Sequence, residues 1–168
     1  MSLIIKNATL EDSDIISNIY ALSWKNAYKG IVPQKYLDEL KLDFWTEHFQ
    51  TWISEDSLKA GILYVENMPV GCVTFGNSRD EKLPDWGEIP SIYIHPDFYH
   101  KGYGEKLLTY ALDKLKIDGY IKCYLWVLSE NANAIKFYEK NGFVFNGDTC
   151  VCNIMGEDLT DLRYVCSL

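Results

Sequence analysis

The chain has 168 residues, 48% hydrophobic and 24% charged, the balance of an ordinary globular protein long enough to bury a core, so one domain over residues 1–168 is expected. A net charge of −8 argues against nucleic acid as a partner, because phosphates need a basic footprint. No apolar run approaches the ~20 residues that cross a bilayer, and "MSLIIKNATLED" has no basic segment ahead of a long apolar one; no membrane or secretory role is expected, and the expected location is cytoplasmic.

Along the chain, "LIIKNA" reads as a first strand. Thr9 and Asp12 then form a capping-box pattern, with Thr9 as N-cap of a helix whose Ile15, Ile19 and Leu22 keep helical spacing toward Tyr28. "PQKYLDEL" and "LDFWTEHFQTWI" read as further helical pieces. The period changes at residue 61, where "GILYVEN" and "VGCVTFG" predict an antiparallel pair. A loop, "NSRDEKLPDWG", leads to the strand "EIPSIYI", in which alternation places Glu88, Pro90, Ile92 and Ile94 on one face. Pro90 cannot donate to a ladder, so a bulge or an edge is expected there. Leu107, Leu108, Ala111, Leu112 and Leu115 describe an amphipathic helix ending near Gly119, and "YIKCYLWVL" is the next strand. "NANAIKFYEKN" is a helix stopped by Gly142; "FVFNG" and "TDLRYVCSL" are closing strands joined by "DTCVCNIMGEDL". A strand–helix–strand unit from 88 to 127 requires parallel neighbours, and the hairpins around it require antiparallel ones. A mixed α/β sheet covered by helices follows.

The five cysteines contain no C-x-x-C pair, and Cys150 with Cys152 lacks the partners of a zinc site; they can share one face of a strand. His48, His95 and His100 are scattered, so no metal is expected.

The stretch "IYIHPDFYHKGYGEKLL", residues 92–108, sets His100, Lys101 and Lys106 around two glycines at a helix start. A helix N-terminus exposes unpaired N–H groups and positive partial charge, which phosphates accept readily. The dinucleotide fingerprint is excluded because Leu107 stands where its third glycine belongs, and the P-loop because Glu105 follows Gly104. Read alone, the stretch fits a phosphate cradle and a plain loop-to-helix junction equally well.

Together with "LWVLSENANAIKFYEKNGF" at 125–143, it resembles the two central motifs of the GNAT superfamily of acetyl-CoA-dependent N-acetyltransferases. The first family motif reads Arg/Gln-x-x-Gly-x-Gly/Ala; here Tyr99 replaces the Arg/Gln and His100 the glycine often found beside it. The second matches from Asn131 to Phe143. The resemblance implies a mostly antiparallel seven-stranded sheet flanked by helices, with parallel central strands splayed around acetyl-CoA. It implies a pyrophosphate cradle of Tyr99, His100, Lys101, Gly102, Tyr103, Gly104 and Glu105. Pantetheine would run along Ile92, Tyr93 and Ile94 on one side and Asn131, Ala134 and Phe137 on the other. Tyr138 is the implied acid for the departing thiolate and Glu88 the base for the amine, directly or through water. Without the resemblance Tyr138 reads as a half-buried aromatic, Asn131 as an N-cap and Glu88 as a solvent-facing strand start. Trp24 and Tyr28, with Tyr36 and Trp45, would line an acceptor pocket, although aromatic residues at helical spacing also suit a core.

The implied partner is a small-molecule amine, and a homodimer is compatible with it. Acidic residues at Asp38, Glu39, Asp43, Glu47, Glu157, Asp158 and Asp161 favour a cationic acceptor, a polyamine foremost. The segment "GDTCVCNIMGEDLTDLRYV" is loosely similar to the end of bacterial spermidine acetyltransferases. A peptide N-terminus, an aminoglycoside, or a CoA-binding protein without turnover are the alternatives.

Overall fold

The computed structural model describes residues 2–168. Among them, strands Leu3–Asn7 (β1), Lys59–Val65 (β2), Met68–Asn77 (β3), Gly87–Ile94 (β4), Lys122–Leu128 (β5), Val144–Ile154 (β6) and Glu157–Ser167 (β7) form one sheet in the order β1-β2-β3-β4-β5-β7-β6. The helices are Ser13–Ala27 (α1), Gln34–Glu39 (α2), Thr46–Ser54 (α3), Tyr103–Ile117 (α4) and Ala132–Lys140 (α5). Every neighbouring pair of strands is antiparallel except β4 and β5, which run parallel and meet only at Gly87 opposite Cys123 and Glu88 opposite Tyr124. Beyond Glu88 the two central strands part. The mixed, splayed sheet implied by the motifs is therefore present.

Alternation along the strands feeds two cores. On one face Leu63, Val73, Phe75, Ile89, Leu125 and Val127 pack against Leu107, Leu108, Ala111 and Leu115 of α4. Burying each of those leucines contributes roughly 1.5–3 kcal/mol, enough to lock α4 behind β4. On the other face Ala60, Ile62 and Cys72 meet Ile16, Ile19, Tyr20 and Phe49 of α1 and α3. A third cluster joins Val32, Leu37 and Leu159, with Trp24, Tyr28, Leu128 and Cys152 packed around it, so the α1–α2 region rests on the end of β5 and on β7.

Three expectations need correction. The helix does not start at Thr9: a 3₁₀ turn, Leu10–Asp12, comes first and α1 begins at Ser13. The Asp12 carboxylate does accept the Thr9 backbone N–H at 2.7 Å, so the capping chemistry is present but closes the turn ahead of α1. The segment "DTCVCNIMGEDL" is not a connector. It belongs to a long hairpin in which Thr149–Ile154 pairs with Leu162–Glu157 across a turn at Met155 and Gly156, both at positive φ. Finally, Glu88 does not share a face with Ile92 and Ile94. Thr74 pairs with Ser91 and Gly76 with Glu88, leaving Phe75 opposite both Ile89 and Pro90. That extra residue is the bulge expected at Pro90, and it turns Glu88 to the side of Ser91 and Tyr93.

Candidate active site

The loop between β4 and α4 supplies a nest of donors. Pro96–Phe98 forms a 3₁₀ turn, in which the His95 Nδ1 accepts the Asp97 N–H at 3.3 Å. His100 and Gly102 then take left-handed φ angles of +61° and +75°, and α4 starts at Tyr103. Among the described residues, no partner accepts the backbone N–H of any residue from His100 to Glu105. Six consecutive unpaired donors at a helix N-terminus are an arrangement suited to an anion. The Lys101 ammonium lies over the Phe98 ring at 4.8 Å, at the edge of this nest. Tyr103 points the other way, into the α4 core, and Glu105 lies within ion-pair reach of Lys140, at 3.9 Å. Left-handed φ at a non-glycine residue costs about 1–2 kcal/mol, which gives a physical reason for the glycine often found where this chain has His100.

From this nest the splay between β4 and β5 opens toward α5. The residues of β4 past Glu88 have no ladder partner on the β5 side. Ile92 and Ile94 pack toward α4. The Tyr93 side chain turns to the opposite face, where its hydroxyl accepts the Trp24 indole N–H at 3.0 Å and meets the Tyr28 hydroxyl at 3.1 Å. On α5, the Asn131 carboxamide oxygen accepts the Ala134 N–H at 3.2 Å, so Asn131 is an N-cap with its amide donors left over. Phe137 lies against the first turn of α4, 3.5 Å from where a Cβ on Gly104 would stand. Tyr138 is buried, and burial together with nearby Tyr28 pushes its phenol well above the ordinary value.

Glu88 stands at the vertex of the splay and is 1% exposed. Its Oε1 accepts the Arg79 Nη2 at 2.6 Å, and its Oε2 accepts the Arg79 backbone N–H at 3.0 Å and the Tyr124 hydroxyl at 2.9 Å. The Tyr124 hydroxyl also meets the Ser78 hydroxyl at 3.0 Å. The carboxylate holds the Arg79 guanidinium above its usual range. Sequence reasoning missed Arg79 and Tyr124. The only available pointer to Tyr124 was the parallel register, which sets it opposite Glu88.

Around the open end, Trp24 packs on Tyr28 at 4.8 Å and on Trp45 at 5.4 Å, with Tyr36 at 6.1 Å. Tyr28 lies close enough to Tyr138, Tyr93, Tyr99 and Asp161 that a charge on one would oppose ionisation of another. Burial chiefly, and Asp161 in part, raise its phenol. Of the acidic residues singled out, Asp38, Glu39, Asp43, Glu47, Glu157 and Asp158 are exposed, and Asp161 alone is half-buried against this group. Among the described residues, no three His, Cys, Asp or Glu side chains converge as metal ligands, and no helix is long and apolar enough to cross a membrane.

The sequence profile of the acetyltransferase (GNAT) family matches residues 18–143. The chain is 26% identical to the spermidine N(1)-acetyltransferase of Thermoplasma acidophilum over 85% of its own length and 89% of that protein. It is 29% identical to the N-acetyltransferase YuaI of Bacillus subtilis, whose role is uncharacterized, over 80% of this chain and 76% of that one. Its fold superposes on the PaiA N-acetyltransferase from Thermoplasma acidophilum, solved in complex with coenzyme A, with a TM-score of 0.81 over the whole of both chains at 21% identity. A nest of free amides ahead of α4, a splayed strand pair and a profile match across three quarters of the chain converge: this protein belongs to the GNAT family of acetyltransferases.

Proposed function

We propose that the protein transfers an acetyl group from acetyl-CoA to a primary amine held beside Tyr28 and Tyr138, with a small cationic amine, a polyamine foremost, as acceptor. The observation that carries this reading is the continuity between six unpaired N–H groups, suited to a pyrophosphate, and the splay that leads from them to a buried tyrosine. Bound acetyl-CoA supplies an acetyl group activated as a thioester. His100 to Glu105 would hold its pyrophosphate by backbone donors, and the free edge of β4 with the Asn131 amide would orient the pantetheine arm. The relative active on spermidine supports the choice of acceptor class, as does the acidic balance of the chain.

Tyr138 faces a definite constraint. A thiolate near pKa ~8.5 cannot easily take a proton from a phenol whose own value has been raised, so the hydroxyl works by donating a hydrogen bond to the charge growing on sulfur. Glu88 acts at one remove, because Arg79 and Tyr124 already engage both of its oxygens. A proton leaving the amine would reach it through the Tyr124 hydroxyl or a relay water.

That engagement also favours a second reading, a CoA-binding protein without turnover. One experiment separates the two: thiol release from acetyl-CoA across a panel of spermidine, neutral amines and peptide N-termini, in the wild type and Tyr138→Phe. Acetyl transfer predicts turnover with at least one amine and a loss of about 10²-fold in kcat for Tyr138→Phe, with acetyl-CoA affinity hardly moved. Absence of thiol release with every amine, despite CoA binding, would establish the silent reading.

A further inference from the structure

Asp161 is the one acidic side chain among those singled out in the sequence that the fold draws inward. In β7 it stands directly opposite Leu128 of β5 on one side and Cys150 of β6 on the other. Directly opposed residues share a face, so Asp161 lies on the face that Leu128, Cys152 and Leu159 present to Trp24, Tyr28 and Leu37. Its surroundings are therefore apolar and aromatic. Among the described residues no lysine, arginine or histidine comes within ion-pair distance of it. The nearest arginine along the same strand face, Arg163, is committed elsewhere: it bonds Asp148 at 3.0 Å and Asp80, and stacks over Trp126 at 4.5 Å. The nearby Cys152 thiol eases the charge on Asp161, but burial outweighs it and raises the carboxyl above its usual range.

A half-buried carboxylate without a cation is costly unless a ligand brings one. The position of this one limits what the ligand can be. Asp161 shares the face on which Tyr28 packs, and the Tyr28 hydroxyl meets that of Tyr93, in the strand that parts from β5, at 3.1 Å, so one aromatic side chain joins the carboxylate's face to the splay. The amine that attacks must be neutral, because only a free lone pair forms the new bond. An ammonium paired with Asp161 keeps its proton and has no lone pair to offer. The cation at Asp161 and the reacting nitrogen are therefore different groups of one acceptor.

We propose that Asp161 anchors a second, unreacting ammonium of the acceptor, and that it thereby selects diamines and polyamines over monoamines. Tyr28 and Leu128 flank the alkyl chain between the two nitrogens, an apolar surface that a chain of methylenes fits. The assignment rests on the acetyl-transfer reading above and adds to it the residue that sets specificity. It also places that residue in β7, beyond the segment 18–143 matched by the family profile.

The test compares 1,4-diaminobutane with butylamine, which share a chain length and differ by one ammonium, in the wild type and Asp161→Asn. The wild type should prefer the diamine in kcat/KM. In Asp161→Asn that preference should collapse toward one, a loss of about 10–10²-fold that appears in KM rather than kcat, as expected for removing one charged hydrogen bond. Calorimetric CoA binding by both proteins reports an intact fold, and Asp161→Ser replaces the variant should Asn prevent folding. An unchanged preference in the folded variant overturns the role of Asp161 while leaving acetyl transfer standing. Failure of the wild type to acetylate either amine or any other on the panel overturns the acetyl-transfer reading, and the anchor with it.

Discussion

Glu88 shows how one residue of register decides which face a strand side chain joins. Two-residue alternation puts it with Ile92 and Ile94, but the bulge at Ile89 and Pro90 inserts one residue and moves it to the face of Ser91 and Tyr93. On that face it meets Tyr124 and Arg79, and its charge is held in a bonded, buried setting rather than open to an amine. Glu88→Gln keeps the side-chain shape and removes the charge that the proposed relay would use. The expected result is a fall of about 10²-fold in kcat/KM, measured with saturating acetyl-CoA. A variant with the wild-type rate would remove Glu88 from proton transfer. A bulge or an edge at Pro90 was legible, since proline cannot donate to a ladder; the side chain the bulge would turn was not, because one residue of register decides the face and only the pairing with β3 reveals where that residue lies.

At the scale of elements, the glycine pair does two separate jobs. Gly102 holds φ at +75°, a conformation other residues adopt at a cost, and it sets the turn into α4. Gly104 sits where only a small side chain fits: a Cβ there would stand 3.5 Å from the Phe137 ring, an ordinary contact that a single methyl tolerates. Gly104→Ala should therefore leave CoA affinity within about threefold. Gly104→Val adds two branches that must push into Phe137 or over the free amides, and affinity by calorimetry should fall at least ~10-fold. Most elements could be read from periodicity because their buried faces are long and apolar, as in α4 with Leu107, Leu108, Ala111 and Leu115. The β6–β7 hairpin could not. β6 is an edge strand, exposed along most of its length, so its residues carry no alternating burial signal. Gly147 and Asp148, where the ladder with β7 breaks register, mimic a loop, while the true turn begins at Met155, a residue that turn chemistry does not single out.

Taken as a whole, the molecule keeps several phenols and thiols out of water. Tyr20, Tyr93, Tyr138 and Cys72 are all pushed far above their ordinary values, mainly by burial, and Cys123 is pushed up to about 12. Because each folded value exceeds its unfolded one, the native state holds protons that the unfolded chain releases. Stability from these groups is complete below the unfolded thiol value of ~8.5; the two thiols lose it above that pH and the three phenols above ~10, each by at most about 1.4 kcal/mol per pH unit. Urea midpoints by circular dichroism should stay level from pH 6.5 to 8 and decline steeply above pH 9.5. A midpoint that holds at pH 10.5 would show that these groups open to solvent without unfolding.

The sheet order sets a schedule for how the protein is made. β7 lies between β5 and β6, so β5 has its full complement of neighbours only after every residue up to the 160s has been synthesised. Elements up to α5 can pair and pack as they leave the ribosome, since β1 to β4 and α4 contact one another in chain order. Until β7 arrives, β5 offers an unpaired edge bearing Leu125 and Val127, open to mispairing with another nascent chain. When β7 inserts, it closes that edge and brings Asp161 opposite Leu128 in the same step. Protection from aggregation and the arrival of Asp161 opposite Leu128 are thus one late event in biosynthesis, because both wait on β7.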